Sequence, residues 1–368
     1  MSPIIKTSLI IGFGGFIGTV CRYLVASLFD KSSFPYGTVV VNLMGCFLIG
    51  LVSGYFSQKK NLFSPKHYKF LLNVKKYSKK AANDVANDAL NDETLGEYLI
   101  KNNFPKDIID KFMIPMGAAV WSGSRKEIAN FPVKMFLKFF DNHGILDLSN
   151  APQWHTVVGG SCTYVNKIIN NFNGKIITGN RVKTIVRKNE GVSVSLDNGE
   201  RMTFDKLVCA SHADQTYRMI KDITVEEEQI LQPWEYSRNK TVLHTDTSIM
   251  PPSKSAWACW NYIKNKNSKD NDDVSVTYYM NRLQGLKTNE DYLVTLNPTK
   301  VIPKDKIIYE TEYTHPKYTH QSISTQEKIK RVSGSNKLYF CGSYCRYGFH
   351  EDAVLSAVRV AKKLGCEL

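Results

Sequence analysis

Lys337-Leu-Tyr-Phe-Cys-Gly342-Ser343-Tyr-Cys-Arg-Tyr-Gly348-Phe349-His-Glu351-Asp352-Ala353-Val is the stretch that decides the fold. Leu338 to Cys341 form a short apolar run that stops at Gly342, the pattern of a buried parallel strand ending at a ligand crevice. Ala353, Val354, Ala357, Val358, Ala361 and Leu364 then recur at helical spacing, which predicts a helix that starts near Glu351 or Asp352 and buries that face. A glycine admits a ligand to the backbone, and the unpaired amides at a helix N-terminus favour negative charge. Gly342, Ser343, Glu351, Asp352 and Ala353 are therefore candidates for holding an anionic group.

The N1 and C2 carbonyl edge of a reduced flavin carries such charge. The segment resembles the C-terminal flavin-binding signature of the amine-oxidase-like, FAD-dependent oxidoreductases, in which a strand, a glycine and a helix face the isoalloxazine. The resemblance implies FAD as cofactor.

The chain's 368 residues suffice for two domains and a substantial core. Its net charge of +14 is spread along the sequence without a nucleic-acid motif, so an anionic membrane surface is the better partner and nucleic acid is excluded. Eight cysteines are scattered with no Cys-x-x-Cys pair, and no metal site is expected from them.

Residues about 4–27 and 36–56 are two apolar runs, each of about 20 residues, the length that crosses a bilayer. Between them there is room only for a tight hairpin. Lys59, Lys60, Lys66, Lys69, Lys75, Lys76, Lys79 and Lys80 follow the second run, with no acidic residue before Asp84. The positive-inside rule then predicts a multi-pass protein of the inner (plasma) membrane whose large C-terminal part is cytoplasmic. The glycines of Gly12-Phe-Gly14-Gly15-Phe-Ile-Gly18 miss the dinucleotide-binding spacing by one residue and suit close packing of membrane helices.

Gly14-Gly15-Phe-Ile-Gly18-Thr-Val-Cys-Arg22-Tyr23 and Phe34-Pro35-Tyr36-Gly37-Thr38-Val-Val-Val41-Asn42-Leu-Met-Gly45-Cys46-Phe47 are similar to the first two helices of the fluoride-channel family. By that resemblance Arg22 matches the vestibule arginine and Asn42 the pore asparagine, whose amide can donate to a dehydrated fluoride. The third and fourth helices of those channels have no counterpart after Phe56. Fluoride is a partner only if the hairpin assembles into a channel.

Beyond the hairpin, Leu62 to Tyr77 reads as a basic amphipathic helix, while Thr94-Leu-Gly-Glu97 and Ser124-Arg-Lys-Glu127 are capping boxes. Pro132 opens a helix that runs to Gly144. Gly159-Gly160 precedes a helix with apolar positions Tyr164, Val165, Ile168, Ile169 and Phe172. Strands are predicted at Lys175 to Ile177, Val182 to Val186, Val192 to Leu196, Met202 to Phe204 and Leu207 to Ala210. Four further segments, Thr241 to Asp246, Trp257 to Tyr262, Val274 to Asn281 and Tyr292 to Asn297, read as an antiparallel sheet.

Ile114-Pro-Met-Gly117-Ala-Ala-Val-Trp121 and Pro152-Gln-Trp154-His-Thr-Val-Val-Gly159-Gly160 carry the flavoprotein resemblance further, and it runs from about residue 57 to 366. It implies that Val182 contacts the adenine end of FAD through its backbone; a plain core valine is the other reading of that residue. Members of that family begin with a β-α-β unit that holds the pyrophosphate, for which this chain has the hairpin instead. The expected fold is α/β: a partial FAD/NAD(P)-binding two-domain flavoprotein fold with an antiparallel-sheet and helical substrate domain, preceded by a two-helix transmembrane hairpin. Its parts are the hairpin (1–56), a helical substrate-side subdomain (57–150), the FAD-binding part (151–230 and 331–368) and the substrate-domain sheet (231–330). The functional expectation is a membrane-tethered, FAD-dependent oxidoreductase of amine-oxidase type, acting on a small molecule or a lipid or acyl substrate. An incomplete fluoride channel subunit and an inactive fusion remnant are the alternatives. No catalytic residue is singled out.

Overall fold

The computed structural model describes residues 65–146, 155–264 and 274–366. Both apolar runs of the hairpin, with Arg22 and Asn42, and the loop Asn265 to Asp273 lie outside the described residues. The chain divides into two units, Met1–Asn73 and Val74–Leu368. Among the described residues, no helix is long and apolar enough to cross a membrane.

The first described helix, α1 (Pro65–Ala86), continues well past the expected end at Tyr77 because Val74, Ser78 and Ala81 keep one face buried. Near its end Asp84 accepts from Lys80 at 2.8 Å and from the Tyr98 hydroxyl at 2.6 Å. Burial raises the Asp84 carboxyl, but these two hydrogen bonds outweigh it and hold the group below the usual carboxylate range.

Both capping boxes form as the sequence predicts. Glu97 opens α2 (Leu95–Lys101) by accepting the Thr94 N–H at 2.8 Å, and Glu127 does the same for Ser124 ahead of α4 (Arg125–Ala129). Between them α3 (Ile114–Trp121) follows a π-helical turn, Ile109–Met113. The helix expected from Pro132 is α5 (Val133–Asn142), which buries Val133, Met135, Phe136, Leu137, Phe139 and Phe140. Its rings and that of Phe131 surround Trp121, whose centroid lies 4.5 Å from Phe131, 4.9 Å from Phe139 and 5.4 Å from Phe136. A Cβ on Gly117 would meet the Phe136 ring at 2.6 Å, so the glycine is what lets α3 and α5 close.

The next helix, α6 (Cys162–Asn170), is where expectation and structure part: none of its residues is buried, and Ile168 is 63% exposed. Lys175 to Ile177 forms no strand, because no other segment pairs with it among the described residues. From there β1 (Val182–Lys188), β2 (Gly191–Leu196) and β3 (Arg201–Phe204) make an antiparallel three-stranded sheet. The short β4 (Leu207–Cys209) pairs in parallel with β10 (Leu338–Phe340), a contact between residues far apart in the chain. Two helices, α7 (Ala213–Met219) and α8 (Val225–Leu231), follow β4.

Arg187 of β1 is the hub of this region. Its guanidinium pairs with the buried Glu227 of α8, donates to the Asp222 carbonyl at 2.9 Å and, through Nε, to the Asn336 carbonyl at 3.1 Å just ahead of β10.

Five antiparallel strands form the second large layer, in the order β6 (Trp260–Lys264), β7 (Val274–Tyr279), β8 (Leu293–Leu296), β5 (Tyr236–His244) and β9 (Ile307–Pro316). Sequence reading finds four of them and misses β9. That strand is an edge with half of its side chains exposed and none buried, so it lacks the alternation that marks a half-buried strand. Inside the sheet His244 Nδ1 accepts the Asp246 N–H at 3.1 Å, so Nε2 carries the proton toward Thr295 Oγ1 at 2.8 Å. The remaining helices are α9 (Met280–Gln284), α10 (His320–Ser324), α11 (Gln326–Val332) and α12 (His350–Lys363).

Burial holds His244, His212 and His315 below the ordinary imidazole value of 6.5. These groups fold neutral, so their contribution is present above 6.5 and is lost as the pH falls through and below it. Melting temperature is expected to drop between about pH 8 and about pH 5, and His244→Gln should shrink that drop. A melting temperature insensitive to pH over this window sinks the assignment.

Candidate functional site

The site is built where β10 ends. Leu338, Tyr339 and Phe340 are all buried, as the apolar run predicts. At Gly342 the chain turns, and an added Cβ there would meet the Tyr344 ring at 2.6 Å. The Gly342 N–H is donated to Ser356 Oγ of α12 at 2.9 Å, and that hydroxyl donates in turn to the Ala353 carbonyl at 2.7 Å. The room and the amide that a glycine offers are thus used inside the protein, to bind strand end to helix.

What remains open is the start of α12. Phe349 is its N-cap and has no side-chain acceptor to give; the Asp352 carboxylate accepts the Phe349 N–H at 3.0 Å instead. The amides of Glu351 and Asp352, in the first turn, have no acceptor among the described residues. Arg346 lies 3.7 Å from the Asp352 carboxylate and offsets its charge at this end of the helix.

The helix buries Asp352, Ser356 and Val360, a stripe at i, i+4 and i+8, and not the face expected from sequence. Val354 is 54% exposed and Ala357 is exposed. The stripe is set by the hydrogen bonds of Asp352 and Ser356, which apolar periodicity does not register.

The helical part reaches this loop directly. Trp121 Nε1 donates to the Tyr347 carbonyl at 3.2 Å, and Phe139 stacks on Phe349 at 5.1 Å. Gln326 Nε2 donates to the Tyr344 and Arg346 carbonyls at 3.0 and 2.6 Å. Beside the loop a cavity of about 220 Å³ is lined by Trp121, Phe131, Tyr318 and Lys317, and the Tyr318 hydroxyl comes within 2.6 Å of where a Gly348 Cβ would stand. A wider cleft of about 680 Å³ lies between Ser122 and Ser124 on one side and Tyr236, Asn239 and Asn297 on the other. Burial pushes the Cys345 and Cys209 thiols up to about 12, which keeps both protonated and poorly nucleophilic.

Of the sequence-predicted residues, the structure brings together Gly342, Ser343, Glu351, Asp352 and Ala353. Val182 stands apart from them at the start of β1, partly exposed. Ser356, Trp121 and Phe349 are contributors that sequence reading missed; the i, i+4 relation of Ser356 to Asp352 is the signal that pointed to the first.

A family model described as flavin-containing amine oxidoreductase matches residues 57–273, more than half of the chain. The chain belongs to the flavin-containing amine oxidoreductase family. A second family model, CrcB-like protein, Camphor Resistance (CrcB), matches residues 9–83, so the chain is a chimera. Its N-terminal part is 50% identical over 58 residues to a fluoride-specific ion channel FluC of Campylobacter lari, covering 15% of this chain and 48% of that protein. The FluC of Chlorobium phaeobacteroides is 48% identical over 60 residues, 16% of this chain and 46% of the channel. The chain therefore spans about half the length of the curated relatives it matches.

Among solved structures, a CLA-producing fatty acid isomerase from P. acnes superposes with a TM-score of 0.58 at 12% identity, covering 80% of this chain and 75% of that one. Putrescine oxidase bound to putrescine gives 0.56 at 10% identity, with 85% and 78% covered. At such identities the likeness is one of fold.

Ser356→Ala leaves the Gly342 N–H without its acceptor and is expected to cost about 1–3 kcal/mol. Urea unfolding of the variant checks this, and an unchanged midpoint removes Ser356 from its role.

Proposed function

We propose that the chain is a membrane-tethered, FAD-dependent oxidoreductase of amine-oxidase type. The observation that carries the reading is the unpaired first turn of α12 beyond a buried parallel strand, in a chain of a flavin-containing family. FAD, when bound, supplies hydride acceptance at its N5. The unpaired amides of Glu351 and Asp352 lie at the positive end of α12, suited to the anionic edge of the ring; Ala353, whose own N–H is donated to the Phe349 carbonyl at 3.1 Å, borders them, and Arg346 offsets the Asp352 carboxylate. Gly342 and Ser343 border the ring from the strand side, and the Val182 backbone serves the adenine end. Trp121, Phe131 and Tyr318 present an aromatic wall to a substrate in the adjoining cavity and exclude water from it.

A lipid or acyl substrate suits the position we assign to the chain. On α1, Tyr68, Leu71 and Leu72 are more than half exposed among Lys66, Lys69, Lys75 and Lys76, the composition of a helix that rests on an anionic bilayer. With the two apolar runs ahead of it, this supports attachment to the inner membrane with residues 57–368 cytoplasmic. The full-length chain is expected to stay with membranes through a high-salt wash; release by salt alone contradicts the tether.

No residue of the proposed site supplies a glycine-rich pyrophosphate turn. The loss of several charge-assisted hydrogen bonds, at roughly 1.5–3 kcal/mol each, weakens FAD binding by orders of magnitude. The chain alone should purify with little flavin absorbance, and FAD titration should be weakened about tenfold or more by Glu351→Pro, which removes one free amide from the first turn, relative to Glu351→Ala. Equal affinities for the two variants place the ring elsewhere.

The identity to fluoride channels favours a second reading, an incomplete channel subunit in which Arg22 and Asn42 act on fluoride. Liposomes holding the chain are expected to show no fluoride efflux; efflux abolished by Asn42→Ala would establish the channel instead.

A further inference from the structure

We propose that His315, Asn239 and Asn297 form a proton-operated latch on the wide cleft: while His315 is neutral they tie the cleft wall at Asn297 to β5, and protonation of His315 releases it. The direction of this chain of hydrogen bonds is fixed at one end by the backbone. The Lys240 N–H, which can only donate, is donated to Asn297 Oδ1 at 3.1 Å. Asn297 Nδ2 must then face away from Lys240, and it donates to Asn239 Oδ1 at 2.8 Å. With its oxygen taken, Asn239 turns its amide nitrogen toward His315. One N–H goes to Ser237 Oγ at 3.1 Å and the other to His315 Nδ1 at 3.0 Å. His315 is thereby required to accept at Nδ1, and its proton belongs on Nε2.

A second proton on the ring finds no acceptor. Imidazolium carries N–H on both nitrogens, so at Nδ1 it points a donor at a donor. Turning the Asn239 amide over removes that clash and creates another, since its Nδ2 then meets Asn297 Nδ2. Turning Asn297 over as well sets Nδ2 against the Lys240 N–H, which cannot turn. No set of amide orientations satisfies the charged form, and Asn239 is 1% exposed, so solvent cannot make up the lost bond. The misfit is relieved where the chain is least enclosed, at the half-buried Asn297. That residue holds a left-handed backbone, with φ of 50°, and donates its own N–H to the Lys240 carbonyl at 2.8 Å. Pro298 and Thr299, which follow it, line the cleft together with Asn239 and Asn297.

The charges around His315 set the pH of release. His212, between β4 and α7, is the titratable group that acts on it; it stacks on Tyr236 of β5 at 4.4 Å, and its Nδ1 lies 3.3 Å from Thr314 Oγ1 of β9. Asp214 of α7 acts on His212 and is itself paired with Arg218 at 2.6 Å. Other charges nearby are paired off: Arg238 with Glu312 at 3.4 Å, Lys240 with Glu310 at 3.0 Å and Lys317 with Glu127 at 3.0 Å. Burial, with His212 adding to it, holds the His315 imidazole below 6.5. The latch is therefore shut above that pH and opens as the pH falls below it. Gly123, Glu127, Ser237 and Lys317 line both this cleft and the cavity of about 220 Å³. An open latch alters the approach to the substrate position assigned above, a consequence that rests on that assignment; the latch itself does not.

The test uses the full-length chain in lipid nanodiscs without FAD and follows amide hydrogen exchange, each rate divided by the intrinsic rate at the same pH. Between about pH 8 and about pH 5, protection at Lys240 and Asn297 is expected to fall about tenfold or more. Protection at Val194, in the central strand of the three-stranded sheet, should hold. His315→Asn puts an amide oxygen where Nδ1 stands, accepts from Asn239 at every pH, and should keep protection flat. Asn297→Asp, which suits the same left-handed backbone, tests the direction of the chain. The carboxylate accepts from both Lys240 and Asn239, turns the Asn239 oxygen toward His315, and makes the protonated ring a partner instead of a misfit. Protection in that variant should no longer fall on acidification. Unchanged protection in the wild type, an equal fall at Val194, or a fall in His315→Asn or Asn297→Asp as large as in the wild type would each overturn the latch.

Discussion

The Arg187 ion pair with Glu227 fixes where everything else can be. Glu227 is buried, and a carboxylate taken out of water survives only with a partner of matching geometry. Arg187 provides it and spends its remaining donors on the Asp222 and Asn336 carbonyls. One side chain thereby joins the three-stranded sheet, α8 and the turn that leads into β10. Removing either partner leaves an uncompensated charge, a loss of about 3–5 kcal/mol in buried pairs. Because β10 is only three residues long, its position comes from such outside anchors more than from its own ladder, and Gly342 and α12 inherit that position.

From there the candidate site is held by contacts of mixed kind. Polar ones join strand end to helix through Ser356; aromatic ones join the helical layer to the loop through Trp121, Phe139 and Phe349. The buried rings around Trp121 each remove a large apolar area from water, so the helical layer is rigid where it meets the loop. The loop's geometry is imposed by layers on both sides of it.

How far the sequence could be read depended on whether local chemistry spoke for itself. Capping boxes at Thr94 and Ser124 are local, and both are where the residues said they would be. So are the strand before Gly342 and the helix after it. Strand β9 was not legible because neither of its faces is buried. Lys175 to Ile177 has strand composition, yet a strand exists only with a neighbour. The buried stripe of α12 misled apolar counting because Asp352 and Ser356, polar residues, occupy it. The chimeric character was legible because two unrelated patterns of apolar spacing, one suited to a bilayer and one to a globular core, meet in one chain; the family matches agree, overlapping over residues 57–83.

On the outer side of β10 the Phe340 N–H is donated to Ser333 Oγ at 2.9 Å and the Leu338 carbonyl accepts the Gly334 N–H at 2.8 Å, and this sealing of the edge has a bearing on assembly at high concentration. A sheet with two bare edges can be extended without limit, which is the route to fibres. Among the described residues the β4–β10 pair has a single bare edge, that of β4. If two molecules met through it, each would consume the other's only free edge of that sheet, and addition there would stop at a pair. The seal thus acts as a chain terminator: a half-built sheet is left sticky, but only once.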